Sequence, residues 1–263
     1  MEILVCIKQV PDDSVTVHLK ANTGEADLDG ISPVVNAFDT YALEMAVRLK
    51  ESSGGAVTVI SVGPEGTENA IKSCLAVGAD SGYLINDAAF NNAGAPEKSK
   101  ILASSVKYLE KSTGKHFDII FCGKEATDYS YGQVGPQLAE IMEIGVVTDL
   151  TDIKKADAGV CCKQETEDGY RTVQTGLPCV VTVSKPAYDP RYPTIRSKLA
   201  ARKMEIPVLT SSQIGNIAAV KTANITLRVY EPPKRKCGVK IKEKTCAGSA
   251  CKAVGMLADA KLL

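Results

Sequence analysis

The segment Phe117 to Glu140, FDIIFCGKEATDYSYGQVGPQLAE, limits the fold of this 263-residue chain more than any other stretch. Phe117 to Cys122 is a short, mostly apolar run with two adjacent isoleucines, the pattern of a strand buried on both faces of a parallel sheet. It ends abruptly at Gly123. From there to Gly135 the chain mixes glycine, small and hydroxyl residues, and Val134, Leu138, Ile141 and Met142 then fall at helical spacing with Pro136 in the first turn. A loop that leaves the carboxyl end of a parallel strand and enters a helix gathers unpaired N–H groups and the positive end of the helix dipole, which suits a phosphate or pyrophosphate. Gly132 and Gly135 would let the backbone approach such an anion closely. The loop has neither the spacing of a Walker loop nor a GxGxxG pattern, so the same glycines equally suit an ordinary strand-to-helix connection.

The rest of the chain repeats this rhythm. Glu2 to Ile7, Ala56 to Val62 and Gly82 to Ile85 read as further core strands, and Lys8 to Asp12 as a polar turn. Helices are expected from about Thr40, with Asp39 as its N-cap and Glu44 paired to Arg48, around Ala70 to Leu75, and over Glu97 to Glu110. Strand alternating with helix predicts an α/β fold, a parallel sheet with helices on both faces. Val15 to Leu28 reads as a hairpin around Asn22-Thr23-Gly24. After Ile144 the runs Val146 to Ile153, Val160 to Gln164, Arg171 to Thr175 and Cys179 to Val183 predict a small antiparallel addition. Tyr188 to Lys203 is an exposed basic stretch. The expected organisation is one domain over residues 1–205 and an extended C-terminal arm over 206–263 that wraps a neighbour.

Thirty-one basic residues balance thirty-one acidic ones, which argues against a nucleic-acid surface. MEILVCIKQV is too short an apolar run for a signal peptide, and nothing approaches the roughly 20 apolar residues of a membrane span. A soluble, cytoplasmic protein is expected. Of nine cysteines, Cys6, Cys74, Cys122 and Cys179 fall inside expected strands or helices and read as small buried hydrophobes. Cys237, Cys246 and Cys251 lack a CxxC and form no recognisable metal pattern. His18 and His116 have no catalytic partners in the sequence.

Taken together the segments resemble the β subunit of electron-transfer flavoproteins. The resemblance rests on CIKQVPD at 6–12, NAFD at 36–39, SVGP at 61–64, CLAVGAD at 74–80, GKEATD at 123–128, GQVGPQLAE at 132–140, LPCVVTV at 177–183 and PRYPTIRSK at 190–198, in that order. It implies a Rossmann-like nucleotide-binding domain in a heterodimer with an α subunit, the arm packing on that subunit. It also implies a nucleotide surrounded by Cys6, Asn36, Ala37, Phe38, Asp39 and Val62, with its phosphates wrapped by Gly123, Lys124, Glu125, Ala126, Thr127, Asp128, Gly132, Gln133, Val134, Gly135 and Pro136.

Within the family that ligand is AMP in conventional carriers and FAD in electron-bifurcating members. The loop Gly132-Gln133-Val134-Gly135-Pro136 resembles the bifurcating pattern, which implies FAD accepting a hydride from NADH and passing electrons to ferredoxin and to the α-subunit flavin. Arg191, Tyr192, Ile195, Arg196 and Lys198 would belong to a recognition loop that docks an acyl-CoA dehydrogenase- or reductase-type flavoenzyme, with Ile195 as its apolar anchor. No side chain need act as acid or base, and no metal ligands are implied. A conventional AMP-binding subunit and a non-redox adenine-nucleotide regulatory module remain as alternatives, because fold does not fix function.

Overall fold

The computed structural model describes residues 1–90, 93–215, 228–231, 233 and 237–263. In chain order its elements are β1 (Glu2–Cys6), β2 (Gln9–Pro11), β3 (His18–Leu19), β4 (Ala26–Asp27), β5 (Pro33–Val35), α1 (Ala37–Ser53), β6 (Ala56–Val62), α2 (Glu68–Ala76), β7 (Ser81–Ile85) and α3 (Ala95–Thr113). There follow β8 (Ile119–Gly123), α4 (Val134–Met142), β9 (Gly145–Ala156), β10 (Gly159–Thr166), β11 (Gly169–Thr175), β12 (Cys179–Val183), α5 (Ile195–Arg202), β13 (Val208–Leu209), α6 (Ser211–Ile214) and α7 (Cys246–Asp259).

Among the described residues nine strands form one sheet in the order β11-β10-β9-β12-β8-β1-β6-β7-β13. From β9 to β13 every neighbouring pair is parallel, and β10 and β11 extend the sheet antiparallel. The parallel strands are buried on both faces, and period two sorts their side chains between two cores. Ile3 and Val5 face one core with Ile119, Phe121, Val181 and helices α1 and α2. Leu4 and Cys6 face the other with Ile120, Cys122, Val180 and helices α3 and α4. This is the expected α/β architecture.

Four local expectations change. Cys179–Val183 is not part of the antiparallel addition: β12 lies parallel between β8 and β9 at the centre of the sheet, where its fully buried run belongs. Lys8 to Asp12 contains a strand, Gln9–Pro11, paired antiparallel with Pro33–Val35. Asp39 is not an N-cap. The helix starts three residues earlier with Asn36 in the capping position, which places Asp39 in the buried first turn. Finally, Tyr188 to Lys203 is not all open loop, since Thr194 and Ser197 form a capping box that starts α5.

The chain divides into two compact units, residues 1–18 with 26–227, and residues 19–25 with 228–263. The first continues past residue 205, because Val208–Leu209 pairs in parallel with β7. Residues 216–227, 232 and 234–236 of the expected arm lie outside the described residues. In the second unit the Asn22-Thr23-Gly24 turn closes through Lys20 N–H to Glu25 O and Gly24 N–H to Lys20 O, both 2.8 Å. Its helix α7 is capped by the Thr245 hydroxyl, which accepts from Gly248 N–H at 3.1 Å. Among the described residues no helix is long and apolar enough to cross a membrane.

Candidate functional site

From β1 the chain moves through β6 to β7 on one side, and then returns to place β8, β12 and β9 on the other. The reversal falls between β1 and β8. In parallel sheets the crevice beyond the carboxyl ends of the strands at such a reversal is where ligands bind. The 36–39 segment and the 123–136 loop both meet there, although 84 residues separate Asp39 from Gly123.

Two side chains join them. Asp39 accepts Lys8 N–H at 2.6 Å and Gly123 N–H at 3.1 Å, tying the residues that end or follow β1 and β8 to the first turn of α1. Asn36, 1% exposed, donates from Nδ2 to Glu125 O at 2.8 Å and accepts Thr127 N–H at 3.1 Å, so one amide fixes both sides of the loop. Burial raises the Asp39 carboxyl to about 7, against hydrogen bonds from Asn36, Lys8 and Gly123 that favour its ionised form. Gly123 is required beside it, because a Cβ there would overlap Asp39 and the Phe38 side chain.

Further along, Ala126 O accepts Tyr129 N–H at 3.1 Å and Ser130 N–H at 2.7 Å, and Ser130 and Gly132 take φ of 51° and 61°. Asp128 pairs with Lys8 Nζ at 2.6 Å, and that ammonium also lies 4.7 Å from the Tyr129 ring centre. Lys124 reaches instead to Asp149 at 2.9 Å. Asp149 is available because β9 carries a bulge: Thr148 and Asp149 together face Thr182, and Asp149 adopts a φ of 56°. Its N–H donates to the Thr182 hydroxyl at 3.0 Å, while the Thr182 methyl closes on Gly135, leaving no room for a Cβ on that glycine.

The N–H groups of Gly132, Gln133, Val134 and Gly135 have no backbone or side-chain acceptor among the described residues. They open α4, whose first turn holds no acidic residue. A Cβ on Gly132 would meet only Lys124 O, at 3.4 Å, so space remains beside it. Unpaired donors, a helix N-terminus and an approachable backbone fit a phosphate or pyrophosphate.

The electron transfer flavoprotein domain model matches residues 29–214, most of the chain and both halves of this crevice. This chain belongs to the electron transfer flavoprotein family. It is 34% identical over 250 residues to the electron transfer flavoprotein subunit beta of Megasphaera elsdenii, covering 92% of both chains. It is 36% identical over 216 residues to the caffeyl-CoA reductase-Etf complex subunit CarD of Acetobacterium woodii, covering 82% of this chain and 80% of that one. With the acryloyl-CoA reductase electron transfer subunit gamma of Anaerotignum propionicum it shares 32% over 248 residues, 91% of each. These matches make it an electron transfer flavoprotein β subunit, which implies an α-subunit partner and a role in electron transfer.

The β-subunit structure places the remaining candidate residues as follows. Cys6 ends β1 in the buried layer beneath the crevice, where its contact with Cys122 and its burial push the thiol well above the usual range. Val62 ends β6, and Ala37 and Phe38 form the first turn of α1 with Phe38 edge-on to Tyr41 at 6.3 Å. Gln133 precedes α4, and Pro136 lies in its first turn. Tyr192 and Ile195 stand out from the surface, and Arg196 and Lys198 are exposed. Arg191 differs, because its side chain is turned inward onto α1. Sequence reasoning missed Lys8 and Asp149. Lys8 had a signal in its position directly after a central strand, whereas the bulge that turns Asp149 has no period-two signature.

Proposed function

We propose that this chain is the FAD-binding β subunit of an electron-bifurcating flavoprotein complex acting in the cytoplasm with an acyl-CoA dehydrogenase- or reductase-type flavoenzyme. The row of unpaired N–H groups from Gly132 to Gly135 carries the reading, because it offers donors to a pyrophosphate and leaves open space beside Gly132 for the remainder of a dinucleotide. The printed roles of two relatives, in a caffeyl-CoA reductase complex and as an acryloyl-CoA reductase electron transfer subunit, support the choice of partner class. FAD bound there supplies hydride acceptance from NADH and one-electron release to ferredoxin and to the flavin of the α subunit.

The chain's own part is to place and screen. Asn36 and Asp39 hold the loop against the strand ends, Gly123 and Gly135 allow close backbone approach, and the loop N–H groups meet the phosphates. Lys8 and Lys124 already have carboxylate partners, Asp128 and Asp149, and so brace the loop from both sides. Catalysis by placement needs no acid–base dyad. The heterodimer purified with its α subunit is expected to yield two FAD and essentially no AMP on acid extraction. One FAD with one AMP would overturn the bifurcating reading and leave the family intact.

A further inference from the structure

Arg191 sits at the root of the segment 192–199, and its guanidinium makes a double fork. Nε donates to Glu44 Oε2 at 2.8 Å, Nη1 to Glu51 Oε1 at 2.6 Å and Nη2 to Glu51 Oε2 at 3.1 Å, while Arg191 N–H also donates to Glu44 Oε2 at 3.0 Å. The second oxygen of Glu44 is held by Arg48 Nε at 2.6 Å, and the Arg48 guanidinium lies 3.8 Å from the ring centre of Tyr188. Glu44 is 3% exposed at its side chain. Burial alone would raise its carboxyl, but the hydrogen bonds from Arg191 and Arg48 outweigh that and hold it below the usual range. A carboxylate in such a place needs its partners, since a buried charge stripped of them is costly.

Beyond this root the chain presents apolar surface. Tyr192 is 91% exposed, Ile195 81% and Leu199 53%; the last two are four residues apart and so share one face of α5. Arg196, Lys198, Arg202 and Lys203 are exposed around them, and the helix has no acidic residue in its first turn. The patch therefore complements an apolar pocket rimmed by carboxylates. Between the root and α1 lies a cavity of about 330 Å³ lined by Val35, Leu43, Cys74, Val77, Pro190 and Pro193 among others. That space gives the segment room to collapse inward if nothing holds it out.

We propose that Arg191, through Glu44 and Glu51, is a positioning residue that holds the Tyr192–Ile195–Leu199 face outward in the geometry that docks the partner flavoenzyme. The inference rests on the docking role proposed above. It reassigns Arg191 from a partner contact to an internal clamp and adds Leu199 to the docking face. A pre-organised loop gives up less conformational freedom on binding, so the clamp acts on association and not on electron transfer within the complex.

The test uses the intact heterodimer carrying Arg191→Lys, Arg191→Ala, Glu51→Gln or Ile195→Ala. Hydrogen exchange across residues 188–203 is expected to speed up in Arg191→Ala and Glu51→Gln, and less in Arg191→Lys, because an ammonium keeps the charge opposite Glu44 and Glu51 while losing the double fork. In assays with a purified acyl-CoA dehydrogenase, Arg191→Ala and Ile195→Ala should each raise KM for the flavoprotein by about tenfold. Both should leave kcat and NADH-dependent dye reduction near normal. The double variant should fall short of the product of the two, since both act through one face. Unchanged exchange in Arg191→Ala, an unchanged KM in it where Ile195→Ala raises KM, or full multiplication of the two effects would each overturn the clamp. Loss of dye reduction in Arg191→Ala would do so too, by moving the residue into folding or flavin placement. An unchanged KM in Ile195→Ala would instead overturn the docking role on which the clamp depends.

Discussion

Asp39→Ala is expected to destabilise the protein by about 2 to 5 kcal/mol and, on the proposed reading of the crevice, to weaken nucleotide binding there. The substitution leaves Lys8 N–H and Gly123 N–H without this acceptor, and both lie partly buried where β1 and β8 end. Each unpaired donor costs about 1 to 3 kcal/mol. Alanine also frees the first turn of α1 from the loop, so Asn36 loses the fixed backbone from which it holds Glu125 and Thr127. The effect carries a pH signature. Because the folded carboxyl is raised to about 7, folding favours its neutral form; that contribution is complete below about pH 4, where the unfolded group titrates, and is lost as pH rises through about 7. Wild type should therefore lose stability from pH 5 to pH 8 through this group while the alanine variant does not, and the gap between them should narrow. Urea denaturation at pH 5.5 and 8 measures both quantities. Equal midpoints for the two proteins at the lower pH would show that the carboxyl does not hold the strand ends.

The part of this fold that was legible in the sequence is the part where one physical rule acts alone. Ala56–Val62 is an uninterrupted β-branched run, and a strand covered on both faces demands nothing else of its residues. Val134–Met142 was legible for a similar reason, with apolar residues at helical spacing and a proline where a missing N–H does no harm. The loop between β8 and α4 could be read as an anion site because its donors come from the backbone, whose behaviour follows from the elements on either side.

What escaped the sequence depends on residues far apart in the chain. Cys179–Val183 looks the same as a strand of the antiparallel addition until the sheet closes around it, and only pairing to β8 and β9 reveals it as central. Asp39 has the chemistry of a cap, but two strand ends claim its oxygens instead, each donating a partly buried N–H that needs an acceptor. Arg191 reads as one of several exposed cations beside Ile195, and its inward turn depends on glutamates about 140 residues earlier on α1. Asp149 needs a bulge that no periodicity announces, and the bulge matters because it turns a carboxylate toward Lys124 at the edge of the crevice.

On the proposed reading, Gly132→Val is expected to lower flavin affinity in this subunit by about an order of magnitude or more, leaving one FAD per heterodimer in place of the two expected of the parent. Gly132 takes a φ of 61°, in the left-handed region that glycine enters without strain and a β-branched residue resists. Crowding is not the cause, because the nearest atom to an added Cβ would be Lys124 O at 3.4 Å. Strain instead shifts the backbone that carries the unpaired N–H groups of residues 132 to 135, and displaced donors hold a pyrophosphate less well. The residue is exposed at a loop tip and packs on nothing in the core, so the thermal midpoint should fall only slightly. Gly132→Asn separates geometry from bulk: asparagine tolerates the left-handed region, so it should keep most of the flavin despite carrying one more side-chain heavy atom than valine. Absorbance of the purified heterodimers and flavin counts after denaturation read the outcome. If valine leaves two flavins in place the loop is only a connection, and if asparagine empties the site as completely as valine, side-chain volume and not backbone conformation governs it.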